Sequence, residues 1–240
     1  MSTQPLNKPK IPKKYQPYGF EILHEDLDVI VGSKTAGALT VAALFEKNKT
    51  VHNALNSYIR KGNTRSQKSA FVVHRLDQWT SGVLIFAKSE QAQQTLKNNW
   101  KSAVKHYYAI VHGHMDKKSG IIESYLSEDE DYVVHSSKNK DDGKLAQTQY
   151  EVVKEIAGYS LVKINLLTGK KNQIRVHFAD QGHPLVGDTK YGKDKGKDTA
   201  AKNMMLHSFS IEFTHPHHGK RLLVQADVPD YFKKLIQFDY

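Results

Sequence analysis

The stretch His74-Arg75-Leu76-Asp77-Gln78-Trp79-Thr80-Ser81-Gly82-Val83-Leu84-Ile85-Phe86-Ala87-Lys88 decides how this chain is read. Val83 to Ala87 is an uninterrupted apolar run with a glycine in front of it, which predicts a strand over about 82–87. Ahead of it, one carboxylate, Asp77, follows Arg75 by two residues on a turn of small polar side chains. That layout displays Asp77 at the edge of a sheet instead of packing it in a core. The structural alternative is an aspartate that caps its own turn, which is common. Two neighbours favour function. His74 and Arg75 are costly to place together at a sheet edge unless an anion docks there. Thr80-Ser81-Gly82 supplies hydroxyls and backbone donors that order the turn.

Working outward, Phe20–Leu23 and Val29–Val31 read as short strands around the acidic turn Glu25-Asp26. Thr50 can cap a helix over about 51–61, with Val51, Leu55, Tyr58 and Ile59 on one face and Gly62-Asn63 at its end. Ser89 can cap a second helix carrying Ala92, Leu96 and Trp100 at fourfold spacing. Strands follow at about 105–111, 146–154 and 159–166. A helix near 172–180 turns Ile174 and Phe178 inward and stops at Gly182. Strands near 205–213 and 220–226 precede a short helix opened by Pro229. Many strands with few helices, and no regular alternation between them, predict an α+β domain on a largely antiparallel or mixed sheet flanked by helices. A basic tail with three prolines, residues 1–16, is expected to be flexible, and 17–240 to form one domain.

The 240 residues are 39% hydrophobic and 10% aromatic, enough to build a core. With no cysteine there is no disulfide and no thiolate metal site. No signal peptide or membrane-length apolar run is found, so a cytoplasmic protein without a membrane partner is expected. A net charge of +10 points to a polyanion such as nucleic acid. The lysine-rich run from Lys190 to Lys202 reads as a solvated loop.

Other chemistries are poorly supported. His112 and His114 share a strand face, and His215, His217 and His218 cluster in a turn, but no His-Glu-x-x-His pattern exists and no metal is expected. A Ser-His-Asp hydrolase lacks its Gly-x-Ser-x-Gly elbow. Gly169-Lys170-Lys171-Asn172-Gln173-Ile174-Arg175-Val176-His177 is more telling, because Arg175 falls at the boundary of an apolar helix face. A partly buried arginine needs a carboxylate or phosphate partner. The following Gly182-His183-Pro184-Leu185-Val186-Gly187-Asp188 with Tyr191-Gly192 reads as a rigid structural turn.

Five segments, in order, resemble the RluA-type family of pseudouridine synthases. They are His74-Arg75-Leu76-Asp77 with Thr80-Ser81-Gly82, Lys105 to Gly113, Gly143 to Tyr150, Gln173 to His177 with Gly182 to Asp188, and Leu206-His207 with His215-Pro216. Two segments depart from the usual pattern. Gly169-Lys170-Lys171-Asn172 stands where relatives show Gly-Arg-x-His, and Ser33-Lys34-Thr35-Ala36-Gly37 where they show Asn-Lys-Pro-x-Gly. Both keep basic or polar character and bear on RNA contacts more than on catalysis.

The resemblance implies the pseudouridine synthase catalytic fold without the separate N-terminal RNA-binding domain of many relatives. It implies an isomerase that converts uridine to its carbon-linked isomer in ribosomal or transfer RNA, without cofactor, as a monomer. Asp77 would be the essential carboxylate, as nucleophile or as base at the sugar. Arg175 would be its salt-bridge partner, and Tyr107 would stack on the flipped base and accept the proton from carbon 5. Substrate binding would fall to His74 at a phosphate, Arg75 in the space left by the flipped base, Thr80 in the turn and Ile174 in the apolar wall. The competing reading is an RNA-binding protein on the same scaffold without catalysis. An intact set of Asp77, Tyr107 and Arg175 speaks against it.

Overall fold

A computed structural model describes residues 4–6, 8–9, 11–61, 63, 65–192 and 201–237. The elements are β1 (Phe20–Glu25), β2 (Val29–Lys34), α1 (Val51–Arg60), β3 (Phe71–Val72), β4 (Ser81–Ala87), α2 (Glu90–Asn98), β5 (Val104–His112) and β6 (Ser119–Glu128). They continue with β7 (Val134–Ser137), β8 (Lys144–Ile156), β9 (Tyr159–Leu166), α3 (Gln173–Asp180), β10 (Leu206–Thr214), β11 (Arg221–Gln225) and α4 (Asp230–Ile236). The chain forms two compact units, one of residues 1–103 and 208–227, the other of 104–207 and 228–240.

In the first unit the strand order is β1-β2-β4-β10, with β11 on β10 and β3 on β4. The β1–β2, β2–β4, β3–β4 and β10–β11 pairs are antiparallel. Every residue of β4 is buried, as an apolar run flanked on both edges requires. Leu23, Val29, Val31, Val83, Ile85, Leu96, Ile211, Phe213 and Val224 make up much of its core. The two helices form where their caps predict: the Thr50 hydroxyl accepts from the Asn53 N–H and the Ser89 hydroxyl from the Ala92 N–H. α1 is closed by Lys61 itself in a left-handed conformation (φ 48°), one residue before the expected stop; Gly62 lies outside the described residues. Part of the segment expected as a tail is engaged. The Leu6 N–H donates to the Leu223 carbonyl at 3.0 Å, and Lys8 pairs with Asp227.

The second unit runs β5-β9-β8-β6-β7, all neighbours antiparallel. Here β6 and β7 add two strands beyond those expected. The exposed face of β6 carries Ile121 between Ser119 and Glu123, its other face sets Gly120 and Ser124 among Ile122 and Leu126, and the four residues of β7 hold one apolar side chain, so neither shows the apolar alternation that marks a strand. α3 buries Ile174, Val176 and Phe178. Gly182, at φ +78°, closes it with N–H bonds from Gly182 to the Ala179 carbonyl and from His183 to the Phe178 carbonyl. The expected solvated loop lies mostly at 193–200, outside the described residues. No helix among the described residues is long and apolar enough to cross a membrane.

Candidate active site

Asp77 is half-buried on the connection that enters β4, and the residues on either side of it are tied down. Before it, the backbone of Leu76 is bracketed by Thr40, whose hydroxyl donates to the Leu76 carbonyl at 2.8 Å and accepts from the Leu76 N–H at 3.3 Å. After it, the Gln78 carbonyl accepts from the Gly37 N–H at 2.9 Å and from the Lys34 ammonium at 2.8 Å. The turn itself closes through the Thr80 N–H to the Asp77 carbonyl at 3.1 Å. Thr80 and Ser81 are buried, and Gly82 (φ +108°) is obligatory: a Cβ there would sit 2.1 Å from the Ser208 carbonyl oxygen. The carboxylate is thus carried on a backbone held at both neighbours, the preorganisation a reacting group needs.

Lys34 is the residue that sequence reasoning undervalued. It reads as part of a basic, polar segment, yet it is fully buried at the end of β2. Its ammonium donates to the carbonyls of Thr35 (3.1 Å), Ala38 (2.8 Å) and Gln78 (2.8 Å), which uses all three protons. Burial lowers its pKa from 10.5 to about 7, and the negative charge of Asp77 works against that fall. The sequence signal was the segment Ser33-Lys34-Thr35-Ala36-Gly37, in which the lysine and the glycine of the relatives' pattern are kept and Gly37 adopts φ +89°.

His74 and Arg75 are placed differently. The Ile85 N–H of β4 donates to His74 Nε2 at 3.1 Å, and the imidazole stacks on Trp100 at 4.6 Å between centroids. One ring nitrogen is therefore committed to the fold. Arg75 is exposed.

In the second unit, Tyr107 is buried on β5 opposite Ile164 of β9. Lys105, Tyr107 and Ala109 share the buried face and Tyr108 takes the other, where burial and then Glu151 raise its phenol pKa. Lys105 is the further surprise on that face: burial lowers its pKa. On α3, Ile174 is buried, and the Arg175 side chain is 13% exposed and grips a fully buried Asp188. Nε donates to Oδ2 at 2.7 Å and Nη2 to Oδ1 at 2.8 Å, a bidentate fork. Asp188 Oδ1 also accepts from the Lys190 and Tyr191 N–H groups, and the Tyr191 ring lies 5.1 Å from the guanidinium. The loop that reads as a structural turn thus orients the arginine, and within this unit the carboxylate on Arg175 is Asp188.

The sequence pattern of the RNA pseudouridylate synthase family matches residues 28–180, which include Asp77, Tyr107 and Arg175. The chain belongs to this family. A ribosomal large subunit pseudouridine synthase D of Nitrosomonas europaea is 32% identical over 227 residues, covering 90% of this chain. The chain spans 64% of the length of that relative. An uncharacterized RNA pseudouridine synthase of Bacillus subtilis is 32% identical over 225 residues, covering 92% of this chain and 73% of that protein. Among solved structures, human RNA pseudouridylate synthase domain containing 4 superposes with a TM-score of 0.73 at 21% identity, over 91% of this chain and 94% of that one. That likeness extends the pseudouridylate synthase family's α+β fold to this member.

Proposed function

We propose that this pseudouridine synthase family member isomerises uridine to pseudouridine in structured RNA, with Asp77 as its essential carboxylate. The observation that carries the reading is the fixed backbone on both sides of a half-buried Asp77 that belongs to the family's matched segment. The bond from ring nitrogen to ribose breaks, the base turns, and carbon 5 joins the anomeric carbon; carbon 5 then gives up its proton, which exchanges with water, and the released ring nitrogen takes one up. Atoms and electrons balance without an oxidant or a condensing group, so the proposal includes no cofactor.

A uridine inside folded RNA has to leave its stack, at a cost of a few kcal/mol. Arg75, exposed and planar at its head, is assigned to fill the space left behind. His74 is assigned a phosphate contact, and Thr80 and Ile174 shape the site. Asp77 acts as nucleophile or as base at the sugar, and Tyr107 stacks on the base and takes the proton from carbon 5. Arg175 is assigned as counter-ion to Asp77, with Asp188 holding its fork in orientation. Ribosomal RNA is favoured over transfer RNA by the name of the Nitrosomonas relative. A cytoplasmic monomer completes the reading, and light scattering on the purified protein tests the latter.

The deciding experiment uses RNA carrying tritium at carbon 5 of uridine. Release of tritium to water upholds the reading. Binding of the RNA without release assigns a binding module instead.

A further inference from the structure

A cavity of about 550 Å³ in the first unit has a chemistry that the reaction at Asp77 does not use. Tyr15, Tyr58, Lys61, Lys68 and Lys88 line it, with Glu25 as its one acid. Glu25 is committed: Oε2 accepts from the Tyr58 hydroxyl and Oε1 from Lys88, both at 2.9 Å. Lys88 is fixed further by donating to the Asp26 carbonyl at 2.6 Å. Lys61 and Lys68 are exposed and make no ion pair among the described residues. The Lys68 backbone is nevertheless placed, because Arg60 Nε donates to its carbonyl at 2.9 Å. Tyr15 is 59% exposed with the Lys14 ammonium 4.8 Å from its ring, so it offers a face beside a cation.

We propose that this cavity is a second RNA site, holding the phosphates of a single-stranded segment on Lys61 and Lys68 and a base on Tyr15. The inference rests on the reading of the chain as an RNA-modifying enzyme. Cations alternating with aromatic faces fit a single strand, whose bases stack on any ring while its backbone follows the charge. An acidic peptide would use the lysines and leave Tyr15 without a partner. The register separates the cavity from Asp77. In the β2–β4 ladder Lys34 pairs with Gly82 at the Asp77 end and Val29 with Ala87 at the other, where Glu25 and Lys88 lie. The five rises of ~3.3 Å between the six residues of β2 put about 17 Å between the ends. A site there grips flanking RNA, and its binding energy lowers KM without entering the chemical step.

The test compares the full chain with Lys61→Glu/Lys68→Glu and with Tyr15→Ala, by fluorescence anisotropy on a structured transcript and on oligouridine across a salt series. The expected result is a Kd raised about tenfold or more in the double variant, and a slope of log K against log salt shallower by about 1.4, two phosphates' worth for a single strand. Tyr15→Ala is expected to weaken oligouridine about tenfold with its slope kept, since stacking carries no counterion release. In turnover, the effect falls on KM rather than kcat. Urea melts establish that the double variant is folded, and Tyr15→Ala, at an exposed ring, serves if it is not. Unchanged Kd and unchanged salt slope overturn the proposal. Because binding is measured without turnover, absence of tritium release in the unaltered protein defeats the catalytic reading alone.

Discussion

The buried ammonium of Lys34 donates to the carbonyl of Gln78, the residue after Asp77, at 2.8 Å across 44 positions of sequence. One cation thereby ties the end of β2 to the turn that carries the carboxylate, while its charge faces that of Asp77. Lys34→Met leaves three carbonyls without their donor, and hydrogen bonds to a charged group are worth about 1.5–3 kcal/mol each. The loss is partly offset by the desolvation that a buried ammonium no longer pays, so urea denaturation is expected to show a net loss of about 2–4 kcal/mol. Since Lys34 ionises at about 7, turnover in the unaltered protein should show an ionisation near that pH which Lys34→Met lacks.

Asp77→Asn should reduce turnover by about 10⁴-fold or more, the scale of losing one member of a catalytic constellation. RNA affinity should stay within about threefold, because a carboxylate contributes nothing attractive toward phosphates. Tritium release and anisotropy on the same preparation check both halves. Loss of binding together with turnover would make Asp77 structural.

Tyr107→Phe keeps a buried ring on β5 and removes only the hydroxyl. Single-turnover release of tritium is expected to slow by about 10²-fold or more, the range of one general acid–base group, with Kd unchanged. An unchanged rate removes Tyr107 as the proton acceptor.

Arg175 and Asp188 should behave as one unit. Asp188→Asn breaks a fork whose acid is fully buried, and a loss of about 3–5 kcal/mol is expected in urea. Arg175→Lys keeps the charge but not the fork, and should be severely defective in turnover. A double-mutant cycle of Asp77→Ala with Arg175→Ala, read in turnover, tests the assigned counter-ion role; additive losses would remove it.

His177 gives the fold a pH dependence of its own. It is fully buried, bonded to Thr148 at 2.8 Å and Ser124 at 3.0 Å, and burial lowers its pKa from 6.5 to about 4. The unfolded chain therefore binds the proton first, so this contribution to stability is complete above pH 6.5 and is lost as pH falls toward 4. Thermal unfolding of His177→Gln should show a smaller drop across that window than the unaltered protein, whatever its stability at pH 7.

Much of the site is legible in sequence because its signals are local. The β4 run, the Thr50 and Ser89 caps, the Gly182 stop and the alternation that buries Tyr107 and turns Tyr108 away all depend on neighbours within a few residues. So does the identity of Asp77 as a lone carboxylate before a strand. β6 and β7 escape this logic, since apolar and polar side chains are mixed on both faces of β6 and β7 is only four residues long, so no period of two shows until their partners are known.

What only the tertiary structure decided is how the candidate groups are held. Thr40 reaches Leu76 over 36 positions, Lys34 reaches Gln78 over 44, and Arg175 finds Asp188 on a loop that reads as a simple turn. Long-range hydrogen bonds leave no spacing or propensity in the chain, because their energy depends on distance and burial, which exist only after folding. The amino-acid sequence by itself determined which residues are the candidates for the chemistry. The fold decided which lysine is buried beside the carboxylate and which acid holds the arginine.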